Sequence, residues 1–74
     1  MKICFEVQAR RRRGVPVRDE VKLARTDTVE DAVSTARLFT ADGFTVWIYR
    51  VETGDSGARH YQAVCTLQPH EPTS

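Results

Sequence analysis

TVEDAVSTARLFTADGFTVWIYRVE, residues 28–52, carries two periodicities back to back. In its first half Val29, Ala32, Val33, Ala36 and Phe39 recur at helical spacing and fill one stripe about 120° wide. Thr28 is a good N-cap, and Glu30 and Asp31 place negative charge in the first turn, where the helix dipole favours it. Asp27 with Glu30 three residues on is an equally good capping-box reading. Gly43 is placed to end the helix as the residue after its C-cap. The spacing therefore predicts a helix over residues 28–42. The period then drops to two. Phe44, Val46 and Ile48 fall on one face; Thr45, Trp47, Tyr49 and Val51 fall on the other. Aromatic and β-branched residues dominate both faces, which predicts a strand over residues 44–52.

Strand signals flank this unit on both sides. Upstream, Ile3, Phe5, Val7 and Ala9 alternate with Lys2, Cys4, Glu6 and Gln8. Arg10-Arg11-Arg12-Arg13-Gly14-Val15-Pro16 reads as a loop, with Gly14 and Pro16 as its breakers. Val17, Val21 and Leu23 then alternate with Arg18, Glu20 and Lys22, so the first two strands should pair as a hairpin. Downstream, residues 52–58 are rich in turn formers, and Arg59 to Leu67 reads as a last strand with Tyr61, Ala63, Cys65 and Leu67 on one face. Residues 68–74 lack periodicity, hold two prolines, and read as a disordered tail. The expected architecture is a single α+β domain over residues 1–67, in the order β-β-α-β-β. It is a four-stranded antiparallel sheet with one helix on one face.

Composition bounds the function. The 74 residues suffice for one domain. They leave no room for a large catalytic cleft or a full cofactor-binding fold. Eleven Lys and Arg face ten Asp and Glu, for a net charge of +1. The charge is unevenly spread. Residues 1–25 hold eight basic and three acidic side chains, whereas residues 26–74 hold three basic and seven acidic. Such a dipolar chain can present a basic pole to an anionic partner. No apolar run approaches the length of a membrane span, and Glu6 arrives too early for a secretory leader. Cys4 and Cys65 match no ligand spacing and read as reduced, small hydrophobic residues, with a bridge between the first and last strands as the alternative. A reducing cytoplasm fits this cysteine usage better than secretion. His60 and His70 have no ligand partners at metal spacing. A Cys–His pair could begin a nucleophile–base arrangement, yet nothing suggests an orienting group or an oxyanion site. The sequence predicts no catalytic, cofactor or metal site.

One helix covers one sheet face. The face expected beneath it carries Ile3, Phe5, Val7, Val21, Leu23, Val46, Ile48, Tyr61, Ala63 and Leu67. The opposite face then carries Cys4, Glu6, Trp47, Tyr49, Val51, His60, Gln62 and Val64, with Trp47 and Tyr49 uncovered. An uncovered aromatic face points to a partner, unless the tail or the Arg loop folds across it. Exchanging the two faces of the third strand would expose Phe44, Val46 and Ile48 instead. Arg10, Arg11, Arg12, Arg13 and Arg18 form the strongest local charge feature, since guanidinium forks suit phosphates and carboxylates. The bland alternative is a solvated hairpin tip. A basic loop beside an aromatic sheet also suits single-stranded nucleic acid, although the RNP1 pattern is absent. Leu38 falls opposite the helix stripe, which predicts exposure.

The Met1-Lys2 start into a strand, the polar loop after Val7-Gln8, the Ala32…Ala36 helix and Tyr49-Arg50-Val51-Glu52-Thr53-Gly54 are similar in layout to a known family. Over most of residues 1–67 the chain resembles the small β-β-α-β-β type I anti-CRISPR proteins of phages and mobile elements. It departs from them in the Arg10–Arg13 run and the proline-containing tail. The resemblance implies a non-enzymatic inhibitor in the bacterial host cytoplasm, monomeric or homodimeric. Such a protein binds Cas subunits of a surveillance complex and blocks guide-directed DNA recognition. Arg10–Arg13 and Arg18 would supply electrostatic contacts, and Trp47 with Tyr49 the apolar anchor. Either an acidic patch of Glu30, Asp31, Asp42, Glu52 and Asp55 meets a basic Cas surface, or the basic loop meets DNA or an acidic ridge. Two other readings use the same residues: a small accessory protein that binds the nucleic-acid backbone, and a homo-oligomeric structural subunit.

Overall fold

The computed structural model of the protein describes residues 1–69. Its elements are β1 (Lys2–Arg13), β2 (Arg18–Thr26), α1 (Val29–Ala41), β3 (Thr45–Thr53) and β4 (Arg59–Leu67). The strands form one antiparallel sheet in the order β2-β1-β3-β4. α1 lies on one face, across β3, β1 and β2. The chain is thus a small α+β domain with the element order that the periodicities predict. Of the expected tail, residues 70–74 lie outside the described residues.

Both helix ends follow from local chemistry. The Thr28 hydroxyl accepts from the Asp31 N–H at 3.2 Å, so Thr28 caps the helix and Asp27 does not. At the other end the Gly43 N–H donates to the Thr40 carbonyl at 3.0 Å, and the Phe44 N–H donates back to the Phe39 carbonyl at 3.0 Å. This is a Schellman closure, and its usual apolar contact is present between the Phe39 and Phe44 rings, whose centroids lie 6.2 Å apart. Gly43 makes the turn at φ +90°. A Cβ there would meet only the Arg11 side chain, at 3.7 Å, so the penalty for a side chain is backbone strain and not a clash. Gly43→Ala should therefore cost about 1 kcal/mol, read as a lower urea midpoint at an unchanged m-value.

The core consists of Val7, Ala9, Ala32, Ala36, Phe44, Val46 and Ile48, with Phe5, Ala24, Val33, Phe39 and Leu67 at its margin. The two helix alanines allow α1 to sit close on the sheet. Phe44 sets which face of β3 meets the helix, because it is fully buried together with Val46 and Ile48.

Three expectations are corrected. The arginine run is not a loop: Arg10–Arg13 complete β1, and the turn is residues 14–17. Val21 and Leu23 do not face the helix. The four-residue turn sets Arg13 opposite Arg18, and this register puts Val7 opposite Ala24 and Ala9 opposite Lys22. Odd positions of β1 are thereby matched with even positions of β2. Val21 and Leu23 lie on the other face, 70% and 60% exposed. Lys22 takes the helix side, with its ammonium 5.0 Å from the Phe44 ring and 5.4 Å from the Phe39 ring. Finally, Tyr61 and Ala63 leave the face of Cys65 and Leu67. Ile48 pairs with Cys65 and Tyr49 with Ala63, so Val64 is an extra residue that switches the alternation. Before this bulge His60 and Gln62 lie on the helix side of the sheet, not on the open one.

Candidate functional site

The face without a helix is built from all four strands. β2 contributes Val21 and Leu23, β1 contributes Gln8 and Arg10, β3 contributes Trp47 and Tyr49, and β4 contributes Tyr61 and Ala63. Trp47 and Tyr49 are half-buried. Tyr49 meets the edge of Tyr61 in a T-shaped pair, with centroids 6.3 Å apart. Val51, set between Cys4 and Tyr61 in the register, is nearly buried. Two shallow depressions of about 370 and 350 Å³ meet at Arg10 and Trp47. One opens toward Arg12 and Thr45, the other toward Val21 and Tyr49. Trp47 and Tyr49 stand where alternation alone predicts them, whereas Val21, Leu23 and Tyr61 do not, because the register-setting turn and the bulge leave no mark on hydrophobic periodicity.

Glu6 adds a buried charge to the face that alternation alone does not reveal. It lies on this same face yet is only 5% exposed. Gln8 donates to its Oε1 at 3.0 Å, and Arg25 Nε stands 3.5 Å from its Oε2. Tyr49 flanks it in the register on one side and Arg25 on the other. The centre of the open face is therefore a charge pair walled by long side chains, not a bare apolar plate.

The arginines separate into two groups. Arg10 donates to Asp19 at 2.8 Å, and Arg12 lies 3.4 Å from the same carboxyl. The Arg10 hydrogen bond, joined by the charges of Arg10 and Arg12, holds the Asp19 carboxyl below its ordinary range. Arg11 points to the helix side. It pairs with Glu20, donates to the Asp42 carbonyl at the helix C-terminus, and stacks 4.3 Å from the Phe44 ring centroid. The hydrogen bond from Arg11 to Glu20 holds that carboxyl below its ordinary range as well. Arg13 and Arg18 face each other across the ribbon, with no carboxylate paired to either among the described residues.

The acidic residues do not form one patch. Glu30 and Asp31 lie in the first turn of α1, whereas Asp42 caps its far end and approaches Lys22 at 3.9 Å. Glu52 is bonded to Arg50, and Asp55 lies 3.7 Å from the chain's amino terminus. Cys4 and Cys65 are both free thiols. They sit on opposite faces with β3 between them, and Cys65 is exposed where burial was expected. Leu38 is exposed, as its position opposite the stripe predicts. Among the described residues no group of three His, Cys, Asp or Glu could hold a metal ion, and no helix is long and apolar enough to cross a membrane. No family model, curated protein or solved structure matches the chain.

Proposed function

We propose that this chain is a non-enzymatic binding protein that docks through its helix-free sheet face onto a protein or ribonucleoprotein surface. It would act by occlusion, as the type I anti-CRISPR inhibitors it resembles do, with Cas subunits of a surveillance complex as the named target. One observation carries the reading. Exposed apolar side chains from both edge strands, Val21 and Leu23 on β2 and Tyr61 on β4, flank half-buried Trp47 and Tyr49 on a single face. Exposed apolar and aromatic side chains set around the central Glu6–Arg25 pair suit a protein partner better than a polyanion. On this face Asp19 already engages Arg10 and Arg12, which reduces the charge the face could offer to phosphates.

The test is a pull-down from a bacterial lysate, with and without nuclease, using the parent chain, Leu23→Glu and Trp47→Ala. Leu23 is exposed, so Leu23→Glu should change stability by no more than about 0.5 kcal/mol. The expected result is a protein complex retained in both halves and lost with either substitution. For the purified partner, truncating a Trp anchor typically costs about 2 kcal/mol or more, roughly a 30-fold rise in Kd. Undiminished retention by both folded variants would overturn the docking face.

A further inference from the structure

The end of the β1–β2 hairpin does something the rest of the sheet cannot. β3 begins at Thr45, opposite Arg10, so Arg11–Arg13 and Arg18–Glu20 pair only with each other. They form a two-stranded ribbon that projects past the four-stranded sheet and ends in the exposed turn 14–17. From Arg11 to Glu20 this arm carries four arginines and two carboxylates, a surplus of two positive charges, with Arg10 standing at its base. The two carboxylates serve the base of the arm, through Arg10 and Arg11. Arg12 shares Asp19 at longer range, and its side chain is 76% exposed. Arg13 and Arg18 stand directly opposite each other, an arrangement of like charges that disfavours the isolated ribbon and is relieved by an anion between them.

We propose that this arm is a nucleic-acid site, in which Arg12, Arg13 and Arg18 grip the phosphodiester backbone of a duplex. The alternation of the strand supplies the geometry. Arg12 points to one side of the ribbon, Arg13 and Arg18 to the other. Cations on both sides suit insertion between two anionic walls, and a B-DNA major groove is wide enough for a two-stranded ribbon. A flat acidic protein surface would engage one side only. The tip is Gly14, Val15, Pro16 and Val17, with no aromatic to stack on a base and no amide to read one. The arm therefore binds without sequence preference, and through charge. This inference does not rest on the sheet face, and the two readings can fail separately.

The experiment is fluorescence anisotropy of a labelled 20-base-pair duplex, titrated with the full chain between 25 and 300 mM NaCl. Three phosphate contacts predict that log K falls with log salt at a slope of about −3. Arg13→Gln with Arg18→Gln should lower the slope to about −1 and weaken binding at least tenfold at 50 mM salt. Both side chains are exposed, and circular dichroism checks that the variant remains folded. Leu23→Glu should bind the duplex like the parent, because it alters only the sheet face. Absence of duplex binding at 25 mM NaCl would overturn the proposal. So would an unchanged slope in the folded double variant, or equal affinity for poly-glutamate, which would mark the arm as a site for acidic protein.

Discussion

Phe44→Ala should leave most of the chain unfolded at 25 °C. Phe44 is the largest fully buried side chain, and it joins three parts of the structure. Its ring closes the helix against Phe39, its backbone N–H completes the Schellman turn, and its face receives the guanidinium of Arg11. Removing a buried Phe side chain costs about 3–5 kcal/mol. A core this small supplies only about that much net stability in total. The buried core holds seven residues, three of them alanine, so little neighbouring bulk is available to collapse into the space. Far-UV circular dichroism at 25 °C and a urea titration measure the effect. Leu38→Ala, on the exposed side of the helix, serves as the control and should shift stability by less than about 0.5 kcal/mol. A Phe44→Ala protein with a midpoint near the parent's would show that the helix-to-strand turn is not what holds the layers together.

The elements were legible in the sequence because each is set by short-range rules. The helix stripe, the Thr28 cap and the Gly43 closure lie within a single stretch, and period two marks part of every strand, though not the Arg10–Arg13 end of β1. What periodicity does not report is how one strand is aligned with the next. A turn of four residues matches odd with even positions across β1 and β2, and so sends Val21 and Leu23 to the open face although their spacing copies that of Val7 and Ala9. One inserted residue at Val64 does the same to Tyr61 and Ala63. The candidate site was legible in part for the same reason. Trp47 and Tyr49 stand on the strand whose faces Phe44 decides, whereas their neighbours on that face depend on register. In the arginine run the sequence shows four equivalent cations. Alternation along β1 makes them unequal, with Arg11 turned inward and Arg12 outward.

That inequality is testable through stability. Arg11→Met should destabilise the protein by about 2 kcal/mol, whereas Arg12→Gln should leave it within about 0.5 kcal/mol of the parent. α1 has no basic residue in its last turn, so Arg11, reaching from β1, is the cation that meets its negative end at the Asp42 carbonyl. The Met side chain keeps the aliphatic contact with Phe44 but loses that bond, the stacked charge and the ion pair with Glu20. Its loss is partly offset, because Arg11 Nε is buried without a hydrogen-bond partner and leaves with the guanidinium. The pH dependence separates this role from a general charge effect. Glu20 titrates below its ordinary value of 4.5, first because of the Arg11 hydrogen bond. A carboxyl whose folded pKa is depressed adds stability above its unfolded pKa and loses it as pH falls through the folded one. The parent should therefore lose more stability than Arg11→Met as pH drops from 6 into the range below 4.5. Asp19 is lowered first by the Arg10 hydrogen bond and also by the charge of Arg12, so its contribution should persist in Arg11→Met and shrink in Arg10→Gln. Urea midpoints at several pH values measure both. If Arg11→Met keeps the parent's stability while weakening duplex binding as much as Arg13→Gln with Arg18→Gln, Arg11 belongs to the arm's ligand site and not to the helix end.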